Sequence, residues 1–209
     1  EAPKLLWEFS HPLMGYSYSG PAVIHRAVKQ ASGDPVEKYF VMFLSGPTSR
    51  DGSSNQNVHA FILSLDNDMK IPATNGLYVK DLGNSTANGL GGRLFTDGMD
   101  VDEDGYTDFV LFGFSRKTSN KTDTDPDGWQ GSVVKLWTGD ASPASGETEP
   151  RSWDFNLQYF NAAQQPVTAK VQFGKCFNHW YVFLGSGRYF FKDDQYSKSQ
   201  PDQIMGVPF

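Results

Sequence analysis

A short apolar run closing on glycine occurs three times in this chain and limits its fold more than any other feature. Residues 39–46 read YFVMFLSG, residues 108–113 read DFVLFG and residues 180–185 read WYVFLG. The closing glycines, Gly46, Gly113 and Gly185, recur about every 70 residues, as in a repeated supersecondary unit. A shorter extended segment precedes each run, at 20–27, 95–100 and 165–173. A second β-rich segment follows each, at 58–66, 131–140 and, more weakly, 188–193. Apolar residues occupy successive rather than alternate positions, so both faces of each strand should be covered. The connections are short and rich in Gly, Asn and Asp, which leaves no room for the crossover helices of a parallel sheet.

These features predict an all-β chain, a β-propeller-like stack of antiparallel blades. About three blades fall in this chain, in units spanning roughly 5–66, 88–140 and 151–209 of a single domain, 1–209. An ordinary β-sandwich is the alternative. Residues 21–30 (PAVIHRAVKQ) also suit an amphipathic helix with Pro at its first position, and only the strand character of their counterparts argues otherwise. Closed propellers take four to eight blades. Three imply an incomplete ring, completed by further blades from the same or another chain. Polar stretches at 45–57, 66–92, 115–131 and 140–150 are expected loops.

Composition agrees, with aromatics at 14% and 21 glycines favouring short strands and turns. A net charge of −6 without Lys/Arg blocks disfavours nucleic acid and anionic membranes as partners. No apolar run is long enough for a membrane span. Cys176 is the single cysteine, so no internal disulfide forms. The chain opens at Glu1 without a leader, as expected of a cytosolic protein or of a mature or excised piece.

The acidic segment 100–108 (DVDEDGYTD) carries the clearest chemistry. Asp100, Asp102, Asp104 and Asp108 fall at loop positions 1, 3, 5 and 9, with Gly105 at 6. Hard divalent cations such as Ca2+ take six to eight oxygen ligands, and alternate positions of a tight loop can all point inward. Gly105 allows the bend, and Tyr106 can add its backbone carbonyl. Without a cation, carboxylates ~4 Å apart repel by about 1 kcal/mol in water and ~4 kcal/mol at an effective dielectric near 20. Leu111 stands at position 12 and no helices are expected to flank the loop, so this is not an EF-hand. The bland alternative is a solvated acidic turn. A second cluster, Asp123, Asp125 and Asp127, begins the same way, but Gly131 stands at its position 9 and Pro126 stiffens it. It reads as a weaker metal loop or a polar insertion.

Catalytic patterns are sparse. His11, His25, His59 and His179 form no zinc-type pairing. Cys176 lies near Asn178 and His179, yet reads as a buried or half-buried thiol more readily than as a nucleophile. The glycines of 83–92 make no phosphate cradle. Asn84 and Asn120 begin glycosylation-type triplets in expected loops. Nothing in this set points to an enzyme.

Taken in order, several segments resemble the C-terminal propeller domain of the PilY family of type IV pilus biogenesis factors and tip adhesins. They are 6–9 (LWEF), 15–19 (GYSYS) with Pro21, 88–90 (NGL), 100–113, 131–137, 165–168 (QPVT) and 182–189 (VFLGSGRY) with Met205 and Gly206. Phe114 departs from the Asp often found there, and 115–130 looks inserted. The resemblance implies a calcium-binding, non-enzymatic propeller located outside the cytoplasm, at the cell surface or on the pilus. In it, calcium occupancy tunes pilus extension, retraction and surface attachment. Asp100, Asp102, Asp104 and Asp108 would supply carboxylates and Tyr106 a carbonyl. Implied partners are minor pilins or pilus tip proteins, and host or abiotic surfaces. An integrin-like calcium-binding adhesive or carbohydrate-binding propeller would carry an Asp loop in every repeat. A quinoprotein dehydrogenase-type propeller would need a quinone pocket, and no residue set for one is found.

Overall fold

The computed structural model describes residues 3–28, 32–118, 128–139, 149–158, 165–190 and 201–209. Its strands form three separate sheets. β1 (Ala22–Val28), β2 (Val36–Leu44), β3 (His59–Leu65) and β4 (Leu77–Asp81) make the first, in sequence order. β5 (Gly89–Gly91), β6 (Phe109–Lys117), β7 (Trp129–Trp137) and β8 (Asp154–Gln158) make the second, also in order. β9 (Gln172–Cys176), β10 (His179–Gly185) and β11 (Ile204–Pro208) make the third, with β10 in the centre. Every neighbouring pair is antiparallel and no sheet closes on itself. The all-β, antiparallel expectation therefore holds.

The sheets stack in sequence order, and β6 shows why its sequence is continuously apolar. Val110, Phe112 and Phe114 join Ile24, Met42, Leu44 and Ile62 in a core between the first and second sheets. Phe109 and Leu111, on the opposite face, join Val167, Val182 and Leu184 between the second and third. Each such side chain contributes ~1.5–3 kcal/mol on burial. β3 is likewise buried along its whole length. Its Phe61 turns away from the second sheet and lies under the N-terminal segment, where Phe9 packs on Phe43 and Phe61 at 5.2 and 5.8 Å between ring centroids. The segment that follows β5 meets those leading into the first and third sheets. The Leu94 N–H donates to the Ser19 carbonyl at 2.8 Å, and the Arg93 N–H to that of Thr168 at 3.0 Å.

The stretch at 21–30 is a strand as far as it is described, as its counterparts suggested, because β1 pairs with β2 from Ala22 to Val28. Several other expectations are corrected. Residues 95–100 form no strand of the second sheet. They make isolated bridges, Asp97 beside Val23 of the first sheet and Met99 beside Phe109. The second sheet instead begins at β5, where a Cβ on Gly91 would stand 2.3 Å from that of Leu44, too close for any side chain. Residues 165–173 contribute a bridge at Val167 and only the start of β9. Arg188 and Tyr189 lie outside any strand and 191–193 lie outside the described residues; among those described, the outer partner of β10 is β11. The expected loop 66–92 holds β4, a short 3-10 turn at Asn84–Thr86, and β5. β8 completes the second sheet although its residues were placed in the third unit. Finally, only one face of β10 is covered. Val182 and Leu184 are buried, whereas Phe183 is 40% exposed.

Candidate metal centre

Segment 100–108 hangs between the first and second sheets, and backbone hydrogen bonds fix both of its arms. On the incoming arm, the Gly98 N–H donates to the Val23 carbonyl at 2.8 Å. At the base, the Met99 N–H donates to Phe109 O at 2.8 Å and the Asp108 N–H to Met99 O at 2.7 Å. On the outgoing arm, the Thr107 N–H donates to His25 O at 2.8 Å, and the His25 N–H donates to Thr107 Oγ1 at 3.1 Å. The loop is thus bound to the edge strand β1 and opens directly into the buried strand β6.

Within the loop the short acidic side chains accept from backbone N–H groups, as Asp does readily in turns. Asp100 accepts from Gly105 at 2.8 Å and from Asp104 at 3.2 Å. Asp104 accepts from Tyr106 at 2.8 Å, and Asp108 Oδ2 from Val101 at 2.8 Å. The bend requires two left-handed residues, Glu103 at φ 65° and Gly105 at φ 91°. These contacts bring Asp100, Asp102 and Asp108 together, with one oxygen from each lying within 4.8 Å of the others. Asp104 is not in that group.

The electrostatics of the triad centre on Asp108, which is only 6% exposed. Burial pushes its carboxyl above the usual carboxylate range, and Asp102, Asp100 and Asp104 push it further. The Val101 N–H opposes them. A dication among these oxygens would reverse the balance. Hard oxygen donors at this spacing fit Ca2+. Arg26, 1% exposed, donates from Nη1 to Thr107 O at 2.9 Å. Burial lowers its pKa, and the fields of Asp108, Asp104 and Asp102 act against that lowering. Its charge offsets part of the acidic cluster. Comparison with known proteins gives no match to any family model, characterised sequence or solved structure.

Around the triad lies a shell that the sequence did not reveal. His25 stacks on Tyr39 with ring centroids 4.4 Å apart, touches the Tyr106 ring at 5.0 Å, and meets Gly105 O through Nδ1 at 2.9 Å. The Tyr106 hydroxyl donates to Glu37 at 3.4 Å. Thr138 Oγ1 donates to the carbonyls of Thr107 and Asp108. His25 and Gly105 are 80 residues apart, so no local pattern could link them. Lys175 meets Glu103 at 3.4 Å from the third sheet, an exposed pair of small energetic consequence.

The remaining sequence candidates divide plainly. Asp123, Asp125 and Asp127 lie outside the described residues, as does Asn120. Asn84 is exposed, but the hydroxyl of Thr86 in its triplet is committed to the fold. It accepts from the Val58 N–H at 3.1 Å and donates to Gly83 O at 2.8 Å. Cys176 is exposed rather than buried, on β9 opposite His179. Among the described residues, no helix is long and apolar enough to cross a membrane.

Proposed function

We propose that this chain is a calcium-binding, non-enzymatic module whose three sheets are successive blades of a propeller-type stack. We place it outside the cytoplasm, in a type IV pilus-associated adhesin. The convergence of Asp100, Asp102 and Asp108 on one point between two sheets carries the calcium part of this reading. Sequence resemblance alone carries the pilus part. Asp108 is the anchor because it is buried and directly precedes β6. Asp100 and Asp102 complete the carboxylate set, and the Tyr106 carbonyl and water supply further oxygens. Asp104 lies outside the converging group, so its removal costs less affinity than removal of Asp108.

The bound ion has a mechanical role in this reading. It neutralises the acidic loop and so fixes the start of β6 against β1, joining the first and second sheets. Minor pilins or pilus tip proteins, and host or abiotic surfaces, are the partners such a module would serve. Calcium at 100-fold over its Kd stabilises the native state by ~2.7 kcal/mol. For a chain of this size that is about 5–10 °C in thermal midpoint. The expected result is such a rise with Ca2+, reversed by EGTA, absent in Asp108→Asn and reduced in Asp104→Ala. A wild-type midpoint indifferent to millimolar Ca2+ rejects the calcium reading.

A further inference from the structure

The acidic loop already has a positive charge of the protein's own beside it. Arg26 lies on β1 with 1% of its surface exposed, and its Nη1 donates at 2.9 Å to Thr107 O, the carbonyl of the peptide that leads into Asp108. Its guanidinium carbon stands 6.0 Å from the centre of the Tyr106 ring. Of the acidic side chains, Asp108 acts on it most strongly, followed by Asp104 and Asp102. Asp108 and Asp102 belong to the converging triad.

Burial gives this charge its weight. An Arg side chain keeps its proton in proteins, and a charge withdrawn from water is little screened by salt. It therefore acts on the loop with or without a metal. Asp108 is equally withdrawn, at 6% exposure. Among the described residues one hydrogen bond serves its carboxyl, from the Val101 N–H to Oδ2, which leaves the other oxygen without a protein donor. Two cations bear on that carboxyl, a dication at the triad and the guanidinium at Thr107.

We propose that Arg26 is a built-in counter-cation that sets the strength of calcium binding, an inference that rests on the calcium reading above. With the loop empty, Arg26 offsets part of the repulsion among the carboxylates and keeps the loop folded on β1. With the ion bound, guanidinium and Ca2+ repel each other across the carboxylates they share. Calcium thus binds more weakly than the acidic side chains alone would allow. The loop is a reversible sensor that stays folded when calcium falls, unlike a structural metal site that unfolds without its ion.

The test is calorimetric titration with Ca2+ of the wild type, Arg26→Met and Arg26→Lys, with the thermal midpoint of each recorded in EGTA. Arg26→Met removes the charge. It should bind Ca2+ about tenfold more tightly than the wild type and melt lower in EGTA. Arg26→Lys keeps the charge and should restore the wild-type affinity. A residue that only shapes the loop gives the opposite sign, weaker binding on substitution. Should Arg26→Met be unfolded in EGTA, circular dichroism should show millimolar Ca2+ folding it, one cation replacing another. The proposal is overturned if Arg26→Met binds no more tightly than the wild type, if Arg26→Lys gains as much as Arg26→Met, or if Arg26→Met stays unfolded in Ca2+. A wild type that binds no Ca2+ removes the calcium reading itself, and this inference with it.

Discussion

Strands β6 and β10 carry the same spacing on the face turned away from the first sheet. Phe109, Leu111 and Gly113 alternate along one, and Tyr181, Phe183 and Gly185 along the other. In β6 the triplet is sealed, because Leu111 enters the second core and Gly113 lies against the segment leading into the third sheet. A Cβ on Gly113 would stand 2.3 Å from Val167 Cγ1 and 2.4 Å from its carbonyl oxygen. In β10 the triplet is bare, and nothing lies within 4 Å of the equivalent atom on Gly185. Nearly the same pattern is therefore core in one sheet and surface in the next. A neighbouring layer, not the strand's own sequence, decides which.

The contrast can be broken by substitution at equivalent places. Leu111→Ala should cost ~2–5 kcal/mol, as large-to-small changes in cores do, while Phe183→Ala costs under ~1 kcal/mol at dilution. Denaturant titration of both checks this, and equal losses would mean the outer face of β10 is covered in solution. Gly113→Ala forces Val167 and its backbone to shift and should cost ~1–3 kcal/mol. Gly185→Ala should fall within ~0.5 kcal/mol of wild type. A change of opposite sign is expected at the β9–β10 turn, where Phe177 is 98% exposed with φ 55°. Phe177→Gly should stabilise by ~1 kcal/mol, since only glycine takes that conformation freely. A loss instead would show that the Phe177 side chain is held by contacts in solution.

What the sequence made legible follows from which signals are local. The long central strands β2, β3, β6, β7 and β10 announce themselves by their apolar content, and in β3 and β6 burial on both faces accounts for it. The edges do not. β4 carries Lys80 and Asp81 beside exposed Leu77 and Val79, and β5 is three residues of backbone threaded under Leu44. Neither leaves a periodic trace. The third strand of the last sheet is β11, 19 residues beyond the end of β10. The acidic loop was readable from spacing alone, including the bend at Gly105. Its setting was not: Glu37 comes from 69 residues earlier and His25 and Arg26 from 80 and 81. Nor could spacing foresee that three carboxylates converge rather than four.

An ion in the acidic loop that clamps the first sheet to the second, as proposed, would be visible in hydrogen exchange compared between Ca2+ and EGTA. Ca2+ should slow exchange at the amides of Gly98, Val101, Asp108 and Thr107 and at Val23 and His25 of β1, leaving β10 and β11 unchanged. Identical exchange in the two buffers, or slowing spread evenly over all three sheets, would contradict the account.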